Sequence, residues 1–156
     1  MYDLRIRFVK DLRAHAGVFG EIYSSAISHY DFVEFVEKFV KEKPAAQILL
    51  TPVPDPQMFG VAELKDDKVV RLVEKPKEPK TNLALVGVYM FGPEIFASVK
   101  TIKPSFRNEL EITDAIQDLI DRGLRVTPHL VSGWWKDTGK LEDMLAIQGE
   151  IGLRIA

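Results

Sequence analysis

With 156 residues, 46% of them hydrophobic and 28% charged, the chain has the size and composition of one globular domain rather than of a disordered or membrane-embedded protein. Twenty-one Lys and Arg against 23 Asp and Glu leave a net charge of -2, so no overall cationic field is available for a nucleic-acid backbone or an anionic membrane, although a local basic cluster could still bind a small anion. The absence of cysteine excludes disulfides, zinc-thiolate sites and thiol catalysis, and it fits a reducing, cytoplasmic setting.

In chain order, residues 2–8 alternate strictly between apolar (Tyr2, Leu4, Ile6, Phe8) and polar (Asp3, Arg5, Arg7), which predicts a half-buried strand. Asp3, Arg5, Arg7, Lys10, Asp11 and Arg13 break up any hydrophobic core there, so no signal peptide is expected. Residues 13–30 show no convincing period. Asp31 then reads as the cap of a helix, with Glu34 as its capping-box partner and Phe32, Phe35, Val36, Phe39 and Val40 as one apolar stripe. A buried strand is expected over residues 46–53, stopped by Pro52, Pro54 and Pro56.

A hairpin follows, with strands 58–64 and 69–73 around the turn Lys65, Asp66, Asp67, Lys68. Residues 74–80 read as an extended, solvated loop, and residues 83–91 as a strand covered on both faces. The apolar run 83–92 is far shorter than the roughly 20 residues that span a bilayer. Pro93 opens a short helix through Val99. A longer helix over 110–122 carries Ala115, Ile116, Leu119 and Ile120 on its inner face and stops at Gly123. A strand over 124–131 and a closing helix over 141–151 complete one α/β unit.

Two loops concentrate groups with chemical potential. In the first, Glu74 can accept hydrogen bonds from adjacent sugar hydroxyls while Lys75 offers a point charge to a phosphate; the same segment also reads as a solvated turn. In the second, Trp134 and Trp135 stand beside Lys136 and Asp137 between Gly133 and Gly139, so that Asp137 could bind a hard divalent cation or simply cap the next helix. Gly60 and Gly87 fall inside strands, where glycine marks either close approach of another group or a bulge. Residues 107–114 form a charged helix entry that capping by Thr113 or Asp114 largely explains. His15, His29 and His129 have no ligand spacing, and Gly17 and Gly20 belong to no phosphate-binding loop pattern.

Taken in order, Phe59-Gly60-Val61, Val73-Glu74-Lys75-Pro76, the segment 84–89, Glu109-Leu110-Glu111-Ile112-Thr113-Asp114 and Trp134-Trp135-Lys136-Asp137-Thr138-Gly139 resemble the sugar-phosphate nucleotidyltransferases, and within them the long-form glucose-1-phosphate thymidylyltransferases. The resemblance covers residues 32–148 and leaves 1–31 unassigned. It implies part of a Rossmann-like α/β domain with a mixed, mostly parallel sheet flanked by helices. It also implies Mg²⁺-dependent joining of a sugar 1-phosphate, glucose 1-phosphate on this pattern, to a nucleoside triphosphate, dTTP on this pattern, with release of pyrophosphate.

On that pattern Glu74 holds sugar hydroxyls and Lys75 the sugar phosphate, Gly60 brings its backbone against the sugar, and Leu85, Gly87 and Tyr89 line the pocket. Arg107 reaches toward phosphate, and Asp137 is one of two carboxylates on the metal, with Trp135 beside it. The family's glycine-rich loop with a Thr-Arg pair is not found before Phe32, and Ser24 and Ser25 fall where a Gly-Asp-Asn would supply the second metal carboxylate. No hexapeptide repeats of a C-terminal β-helix follow. The expectation is a single incomplete nucleotidyltransferase domain over 1–156, weakly active or inactive alone, with self-association or pairing with a related chain. A non-catalytic sugar-phosphate-binding or regulatory subunit is the alternative.

Overall fold

The computed structural model describes residues 29–105 and 107–131. The strand expected over 2–8, the Trp134–Gly139 loop with Trp135 and Asp137, and the closing helix over 141–151 lie outside the described residues.

Helix α1 is described over His29–Glu42, so Asp31 lies within the helix instead of capping it. Phe35 and Phe39 of α1 are buried against Leu49, Val86, Val88, Met90 and Val131, with Val36 packed at the margin. Val40, expected in the stripe, is exposed, because the sheet beneath takes up only the Phe35–Phe39 side of the helix. At the C-terminal end Arg125 reaches across to the Glu42 carboxylate at 3.0 Å and also donates to the Glu42 carbonyl, meeting an acceptor that no further helical turn satisfies.

Strands β1 (Ala46–Pro52), β2 (Gly60–Lys65), β3 (Lys68–Glu74), β4 (Leu83–Phe91) and β5 (Val126–Leu130) form one sheet in the order β3-β2-β4-β1-β5. A short 3-10 turn, Pro56–Met58, stands where the first hairpin strand was expected to begin. Among the described residues the mixed sheet is mostly antiparallel, with β1–β5 as its parallel pair, which corrects the expected parallel majority. The reason is connectivity. A parallel pair needs a long crossover, supplied here between β1 and β5, where the chain carries α2 (Ile95–Thr101) and α3 (Ile112–Asp121). The β2–β3 hairpin instead turns through two residues, Asp66 and Asp67, both at positive φ (50° and 56°), the conformation that matches strand twist in a tight hairpin.

The core forms two layers. Ile48 and Leu50 of β1 point with Ala62, Leu72 and Leu85 toward Ala115, Ile116 and Leu119 of α3, while Leu49 points to α1. Strand β4 divides likewise, so it is covered on both faces as its continuous apolar sequence indicates. Its pairing with β1 jumps from Ile48↔Tyr89 to Leu50↔Leu85, a bulge in which Gly87 sits at φ 77°. A Cβ at Gly87 would meet no atom closer than 4.0 Å, so glycine is needed there for the backbone angle rather than for space.

Helix α3 ends as its sequence indicates. The Gly123 N–H bonds the Ile120 carbonyl at 2.9 Å and the Leu124 N–H the Leu119 carbonyl at 3.0 Å, with Gly123 at φ 73°, a Schellman stop. The same helix closes the sheet edge, since the Gln117 side-chain oxygen accepts the Leu72 N–H of β3 at 2.7 Å.

Candidate functional site

The sheet register sets Gly60, the first residue of β2, directly opposite Glu74, the last of β3. The N-terminus of α3 packs over this pair. A Cβ placed on Gly60 would lie 2.7 Å from Thr113 Cγ2, 3.2 Å from Glu74 Oε2 and 3.6 Å from Leu85 Cβ. Unlike Gly87, then, Gly60 is glycine because two side chains occupy the space above it. The Thr113 hydroxyl, on a residue that is buried, donates to Glu74 Oε2 at 3.3 Å. Thr113 therefore does not cap its helix; the residue at the cap position is Glu111, whose side chain makes no capping bond.

Arg107 approaches from the loop before α3. Its Nη1 lies 3.7 Å from Glu74 Oε1 and 3.6 Å from Glu111 Oε1, and its Nη2 lies 2.9 Å from Glu109 Oε2. The loop is shaped to present it. The Ser105 N–H bonds the Glu109 carbonyl at 2.8 Å, Asn108 occupies a positive φ of 59°, and the Arg107 N–H bonds Ser105 Oγ at 3.1 Å. The Ser105 hydroxyl in turn donates to Glu111 Oε1 at 2.9 Å.

Lys75 follows Glu74 at φ 42°, an angle that costs an ordinary residue about 1 kcal/mol or more, and its N–H is fixed to the Phe59 carbonyl at 2.9 Å. The strand thus ends in a strained kink at the residue where a cation was expected to meet phosphate. Leu85 touches the Gly60 position, and Tyr89 stands farther along β4 with its hydroxyl near Gly87 and its ring 5.8 Å from that of Phe91.

Burial, the largest effect, and the nearby Glu111 carboxylate push the Glu74 carboxyl above its ordinary range; Lys75, the Thr113 hydroxyl and Arg107 oppose the rise. Asp114 is raised for the same first two reasons. Of the residues singled out by sequence, Gly60, Glu74, Leu85 and Arg107 are gathered into one cluster, Lys75 adjoins it, and Gly87 and Tyr89 lie along the neighbouring strand. Trp135 and Asp137 lie outside the described residues. The cluster adds Ser105, Glu111 and Thr113, which resemble ordinary loop and capping residues in sequence. A separate shallow cleft on the opposite face of the hairpin, floored by Val61, Val73 and Pro76, contains none of these groups.

The half-buried carboxylate braced by a hydroxyl and a guanidinium stands at the end of a mixed sheet layered between helices, and this α/β architecture has solved counterparts. A Bacillus anthracis protein described as a glucose-1-phosphate thymidylyltransferase, solved in complex with sucrose, matches 75% of this chain and 47% of its own at a TM-score of 0.65 and 39% identity. The nucleotidyl transferase family model matches residues 8–152, and the chain belongs to that family. A glucose-1-phosphate thymidylyltransferase of Streptomyces antibioticus is 58% identical over 106 residues, 67% of this chain and 30% of that protein. The low-salt glycan biosynthesis nucleotidyltransferase of Haloferax volcanii is 51% identical over 114 residues, 72% and 32% respectively. The chain thus spans about a third of the length of these curated relatives.

Contact at Gly60 and burial at Glu74 each lead to a measurable effect. Gly60→Ala forces its new methyl into Thr113 Cγ2 and should cost about 1–3 kcal/mol in urea unfolding, and Thr113→Ser, which removes that methyl and keeps the hydroxyl, should recover part of the loss in the double variant. Strictly additive losses would show that the two do not meet. Because the fold raises the Glu74 carboxyl, its favourable contribution is complete below the ordinary carboxylate range and is lost as pH rises through the raised value. Relative to wild type, Glu74→Gln should therefore gain stability as pH rises through that window, and a pH-independent difference would contradict the assignment.

Proposed function

We propose that this chain carries the sugar-phosphate site of a nucleotidyltransferase that joins a sugar 1-phosphate to a nucleoside triphosphate and releases pyrophosphate. The observation that carries this reading is the Glu74 carboxylate, half-buried, hydrogen-bonded by Thr113 and ion-paired to Arg107 where Gly60 lets hairpin and helix close together, with Lys75 next in the chain. A carboxylate so fixed accepts hydrogen bonds from paired sugar hydroxyls, and Lys75 supplies the point charge for the phosphate. Gly60 supports the site by letting Thr113 and Glu74 close over it, and Leu85, Gly87 and Tyr89 form the wall along β4. Arg107, expected at the phosphate, is engaged by three carboxylates, which favours a role in bracing Glu74. Trp135 and Asp137 complete the proposal from the second loop.

In the reaction a phosphate oxygen of the sugar 1-phosphate attacks the α-phosphorus in line, the bond to the β,γ-pyrophosphate breaks, and pyrophosphate leaves. Positioning and charge neutralisation are what such chemistry asks of the protein. Glucose 1-phosphate and dTTP are the proposed substrates, supported by the names of the relatives. A divalent cation, with Mg²⁺ proposed, would neutralise phosphate charge through Asp137. Glu74, Glu111 and Asp114 are not suited to hold it, because Arg107 stands between the first two and no group of three or more suitable ligands is arranged for a metal among the described residues. No helix among the described residues is long and apolar enough to cross a membrane, and a cytoplasmic setting is proposed.

Calorimetric titration with glucose 1-phosphate should give saturable binding that Glu74→Gln weakens about tenfold or more, the scale of a hydrogen bond to a charged group. No binding by the wild-type chain would defeat the reading. Pyrophosphate release on adding dTTP then separates the catalytic form of the proposal from the second reading, a sugar-phosphate-binding subunit, which the Ser24-Ser25 segment favours. Pairing with another chain is proposed as well, supported by exposed Val33 and Val40 on α1 and Leu130 on β5. Sedimentation should show concentration-dependent association, and a monomer at all concentrations would exclude it.

A further inference from the structure

Arg107 is a short bridge between two carboxylates that come from different parts of the chain. Glu74 arrives on β3, Glu111 at the head of α3, and a single guanidinium nitrogen lies 3.7 Å from one and 3.6 Å from the other. Both carboxylates are well covered, with side-chain exposures of 18% and 11%. Glu111 is also the better anchored of the two, since the Ser105 hydroxyl holds the same oxygen that faces Arg107, and Ser105 Oγ in turn accepts the Arg107 N–H. Ser105, Arg107 and Glu111 therefore form a closed unit on one loop, and that unit presents a cation to Glu74.

We propose that Glu111 is a positioning residue for sugar-phosphate binding, acting through Arg107 to hold the Glu74 carboxylate in place and to set the pH at which that carboxylate can accept sugar hydroxyls. The inference rests on the proposed sugar-phosphate site. The charged groups acting on Glu74 are Lys75 at the end of β3 and Arg107 and Glu111 before α3, with the Thr113 hydroxyl beside them; Glu109 pairs with Arg107, and Asp114 feels Glu111. Among the carboxylates, Glu111 is the one whose charge opposes ionisation of Glu74, and Arg107 lies where it relieves that opposition. Removing either member should shift Glu74 in opposite directions. A residue that merely supported the loop would weaken binding equally at every pH.

The test uses the full chain, glucose 1-phosphate as probe, and two variants of opposite sign. The Glu74 carboxyl is followed by carbon NMR in the ligand-free protein, and binding is measured by calorimetry across the acid range. Glu111→Gln should move both the Glu74 titration and the acid limb of binding to lower pH. Arg107→Gln should move both to higher pH and weaken binding at the plateau by roughly fivefold, the upper range for a partly exposed ion pair. The probe's own phosphate titration is common to all three proteins and cancels from the comparison. If the wild-type chain binds the sugar phosphate but neither variant moves the Glu74 titration, or both move it the same way, the positioning role is overturned and the site stands. If the wild-type chain binds no sugar phosphate, the site reading falls and this inference with it.

Discussion

The constraint on which this site depends is that a carboxylate has to be held at the junction of a hairpin and a helix, where burial works against its charge. Glu74 ends β3 under the first turn of α3, and the fold supplies it with one hydroxyl, one guanidinium and the charge of Lys75. None of these alone offsets the loss of water. Together they leave the carboxyl raised yet partnered.

That constraint reaches into the scaffold. Thr113 can reach Glu74 only if α3 lies close to the hairpin, and it does because Ala115, Ile116 and Leu119 pack on the sheet while Gln117 ties the backbone of β3 at Leu72. Close packing at the helix head then leaves no room for a side chain at residue 60. Gly60, Thr113 and Glu74 are thus one steric and hydrogen-bonded arrangement, and the two that share the hydrogen bond are 39 positions apart in the chain.

What is legible in the sequence follows from this. The continuous apolar run of β4 announces a strand covered on both faces, and Gly123 announces the end of α3, because each signal acts locally. Asp31 suggests a cap yet lies inside α1, since an aspartate is acceptable near a helix start as well as at a cap. Strand direction is not legible: an apolar strand looks alike whether its neighbours run parallel or antiparallel, and connectivity decides. Gly60 and Gly87 look equivalent as glycines inside strands, yet one answers to side-chain contact and the other to a backbone angle. Glu111 and Thr113 resemble capping residues because their partners, Arg107 and Glu74, become neighbours only in the folded chain.

For the proposed site, charge also favours one orientation of a sugar phosphate. Glu74, Glu109 and Glu111 converge on Arg107, with Asp114 close by, so the loop side of the cluster holds more anionic than cationic groups. A phosphate placed there would meet carboxylates at short range and a guanidinium already committed to them. Neutral hydroxyls suffer no such repulsion and gain acceptors. In the proposed site the sugar ring therefore suits the Glu74 side and the phosphate the Lys75 side, at the residue whose positive φ turns the backbone at the end of β3.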